Sequence, residues 1–137
     1  MRLARQLLLA LWAGGLVSIA ALVAPTLFAV LAERALAGQV AGEIFRRATF
    51  ISIAAALLVV LLDVSGRGRP LWRLLALVPA LLLALSEFGV RPELERIRAT
   101  LGSAAGAFAR WHALSAGLYL AATLAVLALL VASLRRP

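Results

Sequence analysis

The chain has 137 residues, 64% of them hydrophobic and only 15% charged, whereas soluble domains are roughly half apolar and about a quarter charged. That balance excludes an ordinary soluble domain and leaves room for about four membrane spans of roughly 20 residues each, in a single domain over residues 1–137. The formal charge of +8 comes from arginines flanking apolar runs, which read as membrane anchors rather than a nucleic-acid surface, and the lack of cysteine removes disulfide and thiolate chemistry.

The first span is expected over residues 6–32, because Arg2 and Arg5 precede it and no further charge appears until Glu33. A cleaved signal peptide would have an apolar region of about 7 to 15 residues. This run is nearly twice as long, so an uncleaved helix is expected. Gly14 and Ser18 stand four residues apart, a stripe of small side chains that suits close helix packing. Pro25 removes a backbone donor near the end of the span and is expected to kink it.

The second span is expected over residues 38–63, where Gly38 and Gly42 repeat the small-residue spacing. Between Arg47 and Asp63 the uncharged stretch is about 15 residues, or roughly 22 Å of helix. Arg46 and Arg47 must therefore lie at headgroup depth or be drawn into the bundle.

A turn-rich connector, DVSGRGRP, leads to a third span over residues 71–90, with Pro79 in its middle, where a bend is expected. Only about 13 uncharged residues separate Arg73 from Glu87, so this span reaches adequate length by carrying Glu87 inside it. Beyond Arg91 the segment ELERIRATL places Leu94, Ile97 and Leu101 on one face, and Pro92 suits a helix start. A short interfacial helix is predicted there. The fourth span, residues 109–134, ends in Arg135 and Arg136. The expected fold is thus an all-α membrane protein, a four-transmembrane-helix up-down bundle with a short interfacial helix before the fourth span.

Up-down topology brings a set of polar residues to one end. The candidate polar cluster is Arg46, Glu87, His112, Arg110, Glu43 and Arg47. A lone charge inside the membrane costs at least about 2.5 kcal/mol near the centre, which predicts an Arg46–Glu87 ion pair with His112 sharing the carboxylate. Arg47 is the alternate partner. On the fourth helix His112, Ser115, Tyr119 and Thr123 fall within about 80° of one another. Such a stripe lines either a hydrophilic path or a set of interhelical hydrogen bonds. There is no second histidine for bis-histidine ligation, no Gly-rich phosphate loop and no recognised metal spacing. No metal, cofactor or enzymatic activity is expected, since Ser115 beside His112 is too generic a pairing to specify a nucleophile.

APTLF at Ala24–Phe28, AGQVAGEIFRR at Ala37–Arg47, Pro92 after the third span, and FARWHALS at Phe108–Ser115 together resemble the domain-of-unknown-function 4149 family. Its eukaryotic relatives are the transmembrane protein 205-like proteins, and the resemblance extends over nearly the whole chain. By that resemblance Pro25, Phe28, Gly38, Gly42, Phe45, Arg46, Phe108, His112 and Ser115 occupy characteristic positions. Trp111 and Tyr119 depart from the family pattern, where an aliphatic residue and an asparagine are common. The resemblance implies a small four-helix membrane protein without an established activity.

Two functional expectations follow. One is transport or stress resistance involving a polar or ionic ligand at the charged end. The other is a membrane anchor or assembly subunit, of a redox complex for example, in which His112 pairs with a ligand from another chain. Expected partners are the lipid bilayer and either a second copy or a partner membrane subunit, with no nucleic acid. The early Arg2 and Arg5 and the Arg67, Arg69, Arg73 group predict both termini in the cytoplasm of a bacterial inner membrane.

Overall fold

The structure, a computed structural model, describes residues 2–65, 70–102 and 106–135. Its helices are α1 (Arg2–Ser18), α2 (Ala24–Val30), α3 (Arg34–Ser65), α4 (Pro70–Leu85), α5 (Arg91–Leu101) and α6 (Gly106–Leu134). Two π-turns, Ile19–Val23 and Ser86–Val90, join α1 to α2 and α4 to α5 without a break. The chain therefore has four helices of 29 to 32 residues, each long and apolar enough to cross a membrane, and no strand among the described residues. Arg67, Arg69 and Arg136 lie outside the described residues.

At 1.5 Å per residue each helix is about 43 to 48 Å long, beyond the roughly 30 Å of hydrocarbon. Length solves the shortage of uncharged residues. The second helix begins at Arg34 rather than near residue 38, and the third runs on through Arg91 to Leu101. The segment expected as a separate interfacial helix is α5, which continues the third helix beyond its π-turn. Gly102, at φ +80°, ends it in a conformation that side chains with a Cβ rarely adopt.

The π-turns have a common local cause. Each ends two residues before a proline: Val23 before Pro25, and Val90 before Pro92. A proline inside a helix offers no N–H and its ring crowds the carbonyl four residues earlier. A widened turn just ahead accommodates both. At Pro25, where a kink is expected, the departure from α-helix is this π-turn. Pro79 behaves differently: α4 stays α-helical around it, and its ring is buried in the bundle.

Helices adjacent in sequence pack side by side, and α1 closes the bundle against α6. The core is built from Leu9, Trp12, Leu16, Val59, Leu83 and Val126. Alanines of α3, including Ala41, Ala48 and Ala55, are buried and let its neighbours approach. A polar bridge within the core runs from Trp12 Nε1 to Ser52 Oγ at 2.9 Å, which satisfies the indole donor where no water reaches. Leu11, Leu22, Ile51, Leu74, Leu81 and Leu120 point outward, as a surface solvated by lipid tails allows.

The predicted packing stripe of Gly14 and Ser18 is corrected by this arrangement. Both are exposed, and a Cβ added to Gly14 would meet nothing within 4 Å. The buried face of α1 is instead Leu9, Trp12, Ala13 and Leu16, at helical spacing on the opposite side. In lipid a small outward residue costs no solvation, so small size alone does not mark an interface.

Candidate functional site: two clamped carboxylates

Gln6 Nε2 donates to the Ser133 carbonyl at 3.1 Å, so the start of α1 meets the end of α6 and both termini share one end of the bundle. Glu87 marks the other end. It lies in the second π-turn with its side chain only 10% exposed. Arg91 Nη1 approaches Glu87 Oε1 at 2.7 Å from one helical turn further on, and Arg46 Nε of the second helix stands 3.8 Å from the same oxygen. Arg91 also donates through Nε to Glu95 at 2.9 Å and through Nη1 to the Gly42 carbonyl at 3.2 Å. One guanidinium thus ties two turns of its own helix to the second helix.

Gly42 and Gly38 both lie beside arginines of the third helix. A Cβ on Gly42 would sit 3.6 Å from Arg91 Nη2, and one on Gly38 would sit 3.6 Å from Arg98 Nη2. The two glycines seat arginine side chains of the third helix. The expectation that they bring helix backbones together is corrected accordingly.

The other members of the predicted cluster lie apart. Glu43 and Arg47 pair with each other at 3.1 Å on an exposed face of α3. Arg110 is exposed and forms no ion pair among the described residues. His112 is exposed too, its ring stacked parallel on Phe108 at 6.0 Å between centroids, and the Arg98 guanidinium lies over that phenyl at 5.3 Å. His112 forms no hydrogen bond to Glu87 among the described residues; its ring turns to Phe108 instead.

The hydroxyls of the α6 stripe are engaged in packing. Ser115 Oγ lies 2.8 Å from Ser86 Oγ, Tyr119 donates to the Leu16 carbonyl at 2.8 Å, and Thr123 donates back to the Tyr119 carbonyl at 2.9 Å. Phe45 meets the Tyr119 ring edge-on at 4.9 Å. The Ser115 and Tyr119 contacts tie α6 to the third, first and second helices, whereas the Thr123 bond stays within α6.

Sequence reasoning passed over two features. Arg91 is the principal partner of Glu87, and its signal was the Glu87–Arg91–Glu95 spacing of four, which faces all three side chains together on a helix. The second is Asp63, 4% exposed at the terminal end, with Arg5 Nη1 at 3.2 Å and Arg73 Nε at 3.5 Å. Arg5 also lies over the Trp72 ring at 5.7 Å. Among the described residues no three His, Asp or Glu side chains gather as metal ligands would.

The profile of a family described as Domain of unknown function (DUF4149) matches residues 7–103. No curated protein and no solved structure matches the chain. The matched stretch takes in Pro25, Gly42, Arg46, Asp63, Glu87 and Pro92, and stops short of FARWHALS. The likeness to transmembrane protein 205-like proteins therefore gains no support, while the family itself is shown by a match over most of the sequence. The chain belongs to the DUF4149 family, and its four apolar helices make it a multi-pass integral membrane protein.

Proposed function

We propose that the protein is a transport or stress-resistance membrane protein that engages a polar or ionic ligand, specifically an anion, at the Glu87 end. The supporting observation is the asymmetry of the clamp. Arg91 holds Glu87 closely, whereas Arg46 is 53% exposed and stands off at 3.8 Å. A small anion competing for Arg46 loses little, since the displaced carboxylate keeps its own-helix partner. The reading is non-enzymatic: Ser115 is bonded to Ser86 and His112 is stacked apart on Phe108, so neither is poised as half of a catalytic pair. The proposed setting is a bacterial inner membrane with both termini cytoplasmic, which reporter fusions to the C-terminus test directly.

Thermal shift of the purified protein with phosphate, acetate or citrate tests the ligand reading. A rise in the melting temperature that disappears in Arg46→Gln is expected. An equal rise in parent and variant would remove the assignment.

A second reading, an anchor or assembly subunit, is favoured by the exposure of His112 at the edge of the fourth helix. There the imidazole is open to a group supplied by another chain. A photocrosslinker at position 112 that yields one protein adduct of defined mass in native membranes supports this reading; adducts with lipid alone count against it.

A further inference from the structure

Between the first and fourth helices lies a lateral cleft of about 420 Å³, open to the membrane side and lined by Val17, Ala21, Ala24, Phe45, Ala116 and Tyr119 among others. Its origin is in the sequence. Below the cleft α1 packs on α6, but beyond the π-turn the chain of α2 packs mainly on α3, so the two helices part. Ala20, Ala21 and Ala24 on one wall and Ala116 on the other are too small to refill the gap. Tyr119, the main polar side chain in the lining, already spends its hydroxyl on the Leu16 carbonyl. The cleft thus offers almost no free hydrogen-bonding group, and an empty apolar void forfeits dispersion contacts on every wall.

Its length and position select an occupant. From Ala116 to Leu127 the α6 wall runs about 16 Å, close to the depth of one leaflet, half of a roughly 30 Å hydrocarbon core. Above it on the same face of α6 stands His112, within about 60° of Ala116, Tyr119 and Thr123 at 100° per residue. His112 stacks on Phe108, and Arg98 also lies against the Phe108 ring. Arg98 is exposed and pairs with no carboxylate among the described residues. An apolar slot about one leaflet deep therefore opens beneath a cluster of guanidinium, phenyl and imidazole.

The geometry points to a phospholipid site: one acyl chain of a lipid from the Glu87-side leaflet fills the cleft, and its phosphate meets Arg98 and His112. The second acyl chain stays in the bilayer. This site is separate from the Glu87 clamp and stands whether or not that clamp binds an anion.

Photolabelling tests it in vesicles of phosphatidylcholine containing phosphatidylglycerol with a diazirine in one acyl chain. Adducts concentrated on the peptides 17–24 and 116–127 are expected, with little on the outward face near Leu58 or Leu74. Ala116→Leu, which fills the slot, is expected to lose most of this labelling, while Gly14→Leu, on the open outer face, keeps it. A diacylglycerol probe with the same diazirine chain but no phosphate should label the parent more weakly, and Arg98→Gln should bring phosphatidylglycerol down to that level. Circular dichroism and gel filtration establish that each variant is folded. Labelling spread evenly over the outer surface, or unchanged in folded Ala116→Leu, would overturn the proposal. So would conversion of a dimer to a monomer by that substitution, which would make a second copy the occupant.

Discussion

The two ends of the bundle each hold one protected carboxylate among arginines, and they are built in opposite ways. At the terminal end the partners of Asp63 among the described residues come from other helices, Arg5 from the first and Arg73 from the third, and the carboxylate is 4% exposed. At the far end the close partner of Glu87 is Arg91 of its own helix, and the cross-helix partner, Arg46, is long and half exposed. The first arrangement is a staple across three helices. The second keeps the charge neutralised even when its cross-helix contact opens. A carboxylate meant only to hold helices together is best served by the first design; one that must exchange a partner is served by the second.

Mutation separates the two. Asp63→Asn is expected to have the largest effect, a loss of about 2 to 4 kcal/mol in unfolding free energy measured by SDS titration, since two arginines are left without their shared carboxylate. If Asp63→Asn costs no more than Glu87→Gln, the staple is no stronger than the clamp and the contrast fails.

Glu87→Gln is expected to cost less, about 1 to 2 kcal/mol, because Glu95 still holds Arg91 and Arg46 can turn to the headgroups. Adding Arg46→Gln should restore only a few tenths of a kcal/mol, whereas adding Arg91→Gln should restore more. The reverse order in the two double-mutant cycles would make Arg46 the principal partner.

Gly42→Leu sharpens the picture at the arginine seat. The added side chain takes the space of the Arg91 guanidinium, so a loss of about 1 kcal/mol is expected. That loss should shrink markedly when Glu87 is already Gln. A full loss in both backgrounds would mean that the leucine forces the helices apart. The smallest effect is predicted for Gly14→Leu, within about 0.5 kcal/mol of the parent, as an outward position in lipid allows.

Much of the fold was legible in the sequence, and for one reason. Four apolar runs bounded by arginines can cross a bilayer only as helices, since each backbone group must be satisfied within its own segment. Which face of each helix turns inward was not legible. Leu9 and Leu11 are chemically identical, yet one is buried and the other 75% exposed, because lipid and core are equally apolar. The packing roles given to Gly14 and Ser18 failed on that point. At the charged end, helix-length arithmetic placed Glu87 among arginines, but counting charges between helices obscured the closest partner, four residues along the same helix. Membrane depth alone groups His112 with Glu87 in the sequence. Depth does not fix azimuth, and the imidazole turns to Phe108 instead.

The paired π-turns ahead of Pro25 and Pro92 also bear on how such a chain changes length over evolutionary time. A π-turn amounts to one residue more than an α-helical turn would hold. Losing or gaining a single residue inside Ile19–Val23 or Ser86–Val90 can be absorbed there, leaving the helix on either side in register with its neighbours. The same change within the buried stretch of α4 would rotate every later side chain by about 100° and misalign the core. Single-residue gaps among members of the family are therefore expected to gather at these two turns, and the two prolines mark the places where the membrane helices tolerate editing.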